Sequence, residues 1–398
     1  MTQISHNKIG LLTATIIGMN AMIGSGIFTA PAALASYVGP AGILAYLFVV
    51  AAVWCMALSL ARLAELYPQE GSFYIYAKQW GGHYIGLLAS GMYIAGLVIA
   101  MGLLSRVAGI YLHELIPSLS LEILGATCLI AIIALNMFGV ALSQLGQHIL
   151  IICTVFPLLA ITFLCFFHFD SKNLVPFAPH GLMHVFKATR IVIFGFFGFE
   201  SAASLYSVLE KPEQNVSRAV TYSIIAVGIL YTAFIASLIC AVPLSLFTSQ
   251  STPLSTVIAS AFPSMPWLLS IIHLAILSAV IGTIHSMVWG SSSLLISLSK
   301  KISCIEPHMQ NVSAHTQHSI AVFFVGILIT TCFLGIHNLD QFFNLTALFI
   351  MGAFILSFIT LLLLPKEWKS KRNIITILGL ATASMITYFA AENFWYTF

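Results

Sequence analysis

Apolar residues run through this chain in blocks of about 17–25, the length an α-helix needs to cross a hydrocarbon core. Such blocks fall at about 10–36, 41–66, 84–112, 121–141, 147–168, 187–208, 218–242, 266–298, 318–336, 342–364 and 374–396. The pattern predicts an all-α polytopic membrane protein with about eleven transmembrane helices. The polar stretches between blocks are too short for a soluble domain, so residues 1–398 read as one membrane domain.

Composition agrees: 60% of the residues are hydrophobic and 7% are charged, against about 25% charged in a soluble chain. Cytoplasmic loops carry the excess of lysine and arginine. With the N-terminus inside, Lys8, Arg62, Lys78, Lys211, Arg218, Lys300, Lys301, Lys366, Lys369, Lys371 and Arg372 fall on the cytoplasmic side. Arg106, Lys172, Lys187 and Arg190 fall outside, as topological charges. The expectation is a multi-pass protein of the inner, cytoplasmic membrane with the N-terminus cytoplasmic and the C-terminus extracytoplasmic. The net charge of +3 reflects this topology and gives no hint of nucleic acid. "APAALA" offers small residues suited to leader cleavage, but the first apolar run is too long and too glycine-broken for a leader, so none is expected. The seven cysteines lack CxxC spacing and read as small core residues.

One detail conflicts with a plain spanning helix. The first block carries "MIGSGIF", with Gly24-Ser25-Gly26 in its middle. Small residues there suit close helix packing. They equally suit a discontinuous helix, whose exposed backbone is tolerated at membrane depth only beside a cavity. The sixth block, "IVIFGFFGFESAASLYSVLEKPEQNVSRAV", is also interrupted, at Gly195 and Gly198, with Glu200 just after. Two broken spans five apart are the spacing of inverted repeats that share a midplane binding site. This gives repeat 1 at about 10–168, repeat 2 at about 187–364 and an extra helix at about 374–396, with helices 1 and 6 discontinuous.

"GMNAMIGSGIFTAPAALA", "ALSLARLAELYPQEGSFYIYAKQWG", the sixth block and "GTIHSMVWGSSSLLISLSK" together resemble the amino acid–polyamine–organocation (APC) transporters. The likeness is to the basic amino acid/polyamine antiporter and L-amino acid transporter branches, over about spans 1–10. It implies the LeuT-type fold of five plus five inverted repeats. It also implies that main-chain groups at the two breaks bind the α-carboxylate and α-amine of the substrate.

The residues support the same chemistry. N–H groups of Ser25, Gly26 and Ile27 would open a half-helix whose positive end favours an anion. Unpaired carbonyls around Met22, Ile23, Phe194 and Phe197 could accept from an ammonium, and Gly24, Gly26 and Gly198 lack side chains where a ligand must approach main chain. Phe194, four residues before Gly198, stands where the resembling arginine/agmatine antiporters carry an occluding tryptophan. Glu200, an ionisable group deep in a span, marks a functional site, either as a structural hydrogen-bond acceptor or as a proton-titrating group. His285 stands near an Asn-Ser pair of the family, and both a pocket-facing and a satisfied buried role are open to it. Thr154 falls where proton-coupled relatives carry a span-5 lysine, which disfavours lysine-type proton coupling and leaves exchange, sodium coupling or uniport.

The remaining polar groups say less. Arg62, Glu65, Lys78, Glu210, Lys211, Glu213 and Arg218 flank cytoplasmic loops, as solvated charges or gate pairs. The loop with Cys304, Glu306, His308, His315 and His318 fits no zinc spacing, so neither a metal nor a cofactor is expected. HExxH, GxSxG and paired aspartates are absent, which argues against an enzyme, and no polar stripe lines a channel. The expectation is a secondary active transporter moving a neutral amino acid by alternating access. Its partners would be the amino acid or amine, a coupling ion (H+ or Na+) and lipid. A polyamine or cationic amino acid antiporter and a non-transporting amino acid sensor remain alternatives. Relatives by this resemblance usually have twelve spans, the last two serving dimer contacts, so a monomer or weak dimer is expected.

Overall fold

The structure, a computed structural model, describes residues 10–24, 26–68, 72–138, 144–200, 209–247, 252–302, 305–307, 312–363 and 373–397. Among these, the elements are helices: α1 (Leu11–Met22), α2 (Gly26–Val38), α3 (Gly42–Leu66), α4 (Ser72–Leu115), α5 (Leu121–Met137), α6 (Gln144–Phe167), α7 (Met183–Lys187) and α8 (Thr189–Val192). There follow α9 (Pro212–Ala241), α10 (Leu254–Ala261), α11 (Trp267–Ser299), α12 (Ala314–Gly335), α13 (Leu339–Leu362) and α14 (Asn373–Thr397). Eight stretches of the described residues are long and apolar enough to cross a membrane, with α1 and α5 as shorter apolar helices.

The first expected span is two half-helices. At 1.5 Å per residue, α1 and α2 are each about 20 Å long, so neither crosses a core of about 30 Å alone. The expected third span at 84–112 is longer in the structure. An arm before it is also helical and turns into the span at Gly82, whose φ of +73° suits a residue without Cβ. The arm is tied to the end of α13: the Trp80 indole N–H donates to the Leu356 carbonyl (2.7 Å), and the Thr360 hydroxyl donates to the Tyr76 carbonyl (2.6 Å).

At the centre α4 packs against α13, α5, α11 and α12, while α9 packs against α3, α1 and α6. Outward-facing residues of α5 and α6, such as Ile130, Ile152, Phe156 and Phe163, are exposed and apolar. That is the expected polarity where the surrounding solvent is hydrocarbon, since the helices already satisfy their own backbone bonds.

Candidate substrate site

The two interrupted spans meet at their interruptions. α1 ends at Met22; Ile23 leaves helical geometry with ψ 81°, and α2 starts again at Gly26. Ser25 lies outside the described residues. In the sixth span, α8 passes into a 3₁₀ turn over Ile193–Phe196, Phe197 is extended with ψ 137°, and Gly198 has φ +109°. A side chain on Gly26 would begin 2.6 Å from the Gly195 Cα, and one on Gly198 would run into the Ala21 carbonyl oxygen. One on Gly24 would begin 2.8 Å from Thr283 Oγ1 of α11. These glycines therefore let one break lie on the other, backbone to backbone, and on α11. Both readings of Gly-Ser-Gly hold at once: the helix is discontinuous, and its glycines are packing residues.

One carbonyl expected to be unpaired is engaged. The Met22 oxygen accepts from the Gly24 N–H (2.8 Å) and from the Tyr231 hydroxyl of α9 (3.0 Å). Ile23 and Ile27 are buried beside it.

Phe194 lies over the breaks, against Gly26. Its ring is edge-on to Phe197 (centroids 6.2 Å apart) and to Phe343 of α13 (5.3 Å). All three are buried, and edge-to-face geometry is the favoured aromatic arrangement. The Glu200 carboxylate is buried. Its Oε2 accepts the Gly198 N–H (3.0 Å) and its Oε1 accepts the Tyr93 hydroxyl of α4 (2.6 Å). The acid thus takes up an amide released where the helix breaks and fastens the sixth span to the third.

A cavity of about 200 Å³ lies behind the first break, between α1, α6 and α11. Its polar lining comes from Asn20, Thr154, Ser278, Thr283 and Ser286. Thr154 donates to the Leu150 carbonyl (2.8 Å), which leaves the hydroxyl oxygen's lone pairs as acceptors. His285 of α11 is buried, but among the described residues α11 sends Thr283 and Ser286, not His285, to this wall. A larger apolar cavity of about 540 Å³ lies beside the other end of α11, lined from α4 by Leu87 and Ile94, from α11 by Leu295 and Leu298, and from α12 and α13 by Leu328 and Phe349.

Arg190, expected to be a topological charge outside, is instead 1% exposed. Its Nη1 donates to Asp340 Oδ1 (3.0 Å) and Asn344 Oδ1 (2.9 Å) of α13, and its guanidinium lies over the Tyr37 ring. A buried cation needs such partners. Arg190 stands one turn before Phe194, as Asn344 stands next to Phe343, so the ion pair and the aromatic contact are stacked levels of one interface. Sequence patterning could not find Tyr93, Tyr231, Phe343 or the Asp340 pair, because none has a local spacing signal. Of the candidate gate charges, Arg62 pairs with Glu65 within α3 (2.9 Å), and Lys78 lies over Tyr74 of its own helix. Cys304 and His308 of the His-containing loop lie outside the described residues.

The sequence profile of the amino acid permease family matches residues 9–397. The branched-chain amino acid permease BcaP of Bacillus subtilis (strain 168) is 24% identical over 386 residues, 90% of this chain and 81% of that one. The gamma-aminobutyric acid permease of Escherichia coli (strain K12) is 24% identical over 306 residues, 72% of this chain and 64% of that one. The crystal structure of MhsT in complex with L-phenylalanine superimposes with a TM-score of 0.69 at 14% identity, covering 95% of this chain and 97% of that one. The chain therefore belongs to the amino acid permease family within the APC superfamily, a transporter and not an enzyme, built on the LeuT-type fold.

Proposed function

We propose that this chain carries a neutral amino acid with an apolar side chain across the cytoplasmic membrane by alternating access. The observation that carries the reading is the direct contact of the two helix breaks under Phe194. The first turn of α2, from Gly26 and Ile27, has backbone N–H groups without intrahelical partners, and its positive end suits the substrate carboxylate. Non-helical backbone at Ile23 and Phe197 supplies acceptors for the ammonium, with Gly24 and Gly198 beside them. Phe194, Phe197 and Phe343 then offer the substrate side chain an apolar, aromatic surface. Glu200, already bonded to Gly198 and Tyr93, has a structural part here and does not call for a second positive charge on the ligand. The 24%-identical branched-chain permease points the same way. The two sets of five spans act as inverted repeats, with the N-terminus inside.

Coupling follows from Thr154. A threonine cannot supply the ammonium that a lysine would, and the surrounding Ser278, Thr283 and Ser286 hydroxyls with the Asn20 amide form a neutral oxygen-rich wall. Hard cations take oxygen ligands, so sodium-linked uptake is the form of coupling this lining suits.

The test is uptake of labelled L-leucine into proteoliposomes with and without a sodium gradient, and with L-leucine, L-arginine or putrescine preloaded inside. Saturable uptake, accelerated by internal L-leucine and unaffected by putrescine, is expected. Acceleration by arginine or putrescine alone would replace this reading with the cationic antiporter, and binding without flux would make the chain a sensor.

A further inference from the structure

Away from the helix breaks, at the end of the bundle that the lysine and arginine distribution assigns to the outside, α10 is a short helix between two spans. It packs on α11 and on α2, the half-helix that leaves the first break. One carboxylate holds it. Glu114, at the end of α4, accepts from the Ser255 hydroxyl through Oε2 (2.6 Å) and from the Thr256 hydroxyl through Oε1 (3.2 Å). Tyr111, one turn earlier, accepts the Leu254 N–H at the start of α10 (3.0 Å).

Glu114 has a third partner, His273 of α11, with Nε2 2.8 Å from Oε2. The other ring nitrogen, Nδ1, lies 2.7 Å from the Leu269 carbonyl oxygen. A carbonyl can only accept, so Nδ1 carries a hydrogen. A hydrogen must also lie between Nε2 and the carboxylate, since two lone pairs at 2.8 Å repel. The pair thus holds one proton more than a neutral histidine and an ionised glutamate do. Either an imidazolium faces a carboxylate, or an imidazole faces a carboxylic acid.

We infer that Glu114 and His273 form a proton-binding site whose occupancy fastens α10 over the outer end of α2. When the proton leaves to water, His273 has one N–H left for two acceptors, the Leu269 carbonyl and the Glu114 carboxylate, so one of its two bonds is given up. The shared proton no longer draws the ring and the carboxyl group together beneath Ser255 and Thr256, and α10 loosens with that seat. The other ionisable groups nearby are few. From α4, Tyr111 is edge-on to the His273 ring (5.8 Å), and His113 is turned to the Leu119 carbonyl. From the end of α6, His168 lies against Phe262 at the close of α10. Glu122 opens α5 with Arg106 and His337 in electrostatic reach. Of these, among the described residues, Glu114 and Tyr111 touch both His273 and α10, and only Glu114 is hydrogen-bonded to both.

Hydrogen–deuterium exchange of the protein in nanodiscs, at about pH 5.5 and about pH 8, tests this across the range where histidine changes charge. No substrate is added, so the result is independent of which amino acid is carried. After correction for intrinsic rates, the amides of 254–261 should exchange about tenfold faster at the higher pH, the equivalent of about 1.4 kcal/mol, while those of α5 stay unchanged. In Glu114→Gln and in His273→Gln the ratio should fall to about one. Ser255→Ala should loosen the helix at both pH values and keep the ratio. A wild-type ratio near one, or a ratio preserved in both glutamine variants, overturns the proposal.

Discussion

Replacing Gly198 by alanine imposes two separate penalties. At φ +109° a residue with Cβ is strained, at a cost of about 1–3 kcal/mol. The new methyl also points at the main-chain oxygen of Ala21, which cannot swing aside as a flexible side chain would, and overpacking adds about 1–3 kcal/mol. The sum is about 2–6 kcal/mol, and even the lower end shifts an equilibrium about thirtyfold. Relief requires the two helix breaks to separate. Gly195, three residues earlier, is the internal control: a methyl there meets nothing closer than Tyr231 Cε2 at 3.5 Å, an ordinary contact. Thermal unfolding in detergent and labelled L-leucine uptake are the paired assays. Gly198→Ala should melt lower and transport at least about tenfold less, with Gly195→Ala close to wild type in both. Equal behaviour of the two variants would refute the packing account of the breaks.

Phe194→Ala should raise the KM for L-leucine by about two- to tenfold, from about 0.5–1.5 kcal/mol per aromatic contact; a larger effect from Phe197→Ala would mean that Phe194 does not face the substrate. Arg190→Met should destabilise by about 3–5 kcal/mol, the cost of leaving one member of a buried ion pair alone, and adding Asp340→Asn should recover part of the melting temperature. An unchanged melting curve for Arg190→Met would show that the pair is not closed in the membrane. Thr154→Lys should place an ammonium in the polar cavity and abolish any stimulation of uptake by sodium, and full sodium stimulation in that variant would remove the cavity from the coupling route.

The interrupted helices were legible because a backbone break needs particular residues at the break itself. Gly24, Gly26, Gly195 and Gly198 are that local requirement written out, and the apolar block lengths located the helices for the same reason. What the glycines touch was not legible. That a side chain on Gly26 would meet Gly195, from another span, has no local signal. Tyr231 reaches Met22 across 209 positions, and Tyr93 reaches Glu200 across 107, distances over which no periodicity carries information. Arg190 misled for a related reason. At the end of an apolar block it has the position of a topological charge, and its burial is decided by Asp340 and Asn344, which arrive from α13.

The placement of the two cavities bears on how α11 can move. One borders its middle, toward α1 and α6, and the other borders its C-terminal end, toward α4, α12 and α13. A closely packed helix resists tilting because each displaced side chain loses dispersion contacts on one side and collides on the other. Here the half toward Ser299 has compliance on both flanks, while the end toward Trp267 is pinned through His273. Such a helix acts as a lever with its fulcrum near His273: a lean toward α1 shrinks the polar cavity and widens the apolar one. The stiffness of this bundle is therefore graded along a single helix, and a change of angle beside the first helix break can be exchanged for volume at the end near Ser299 without remaking the core around α4 and α13.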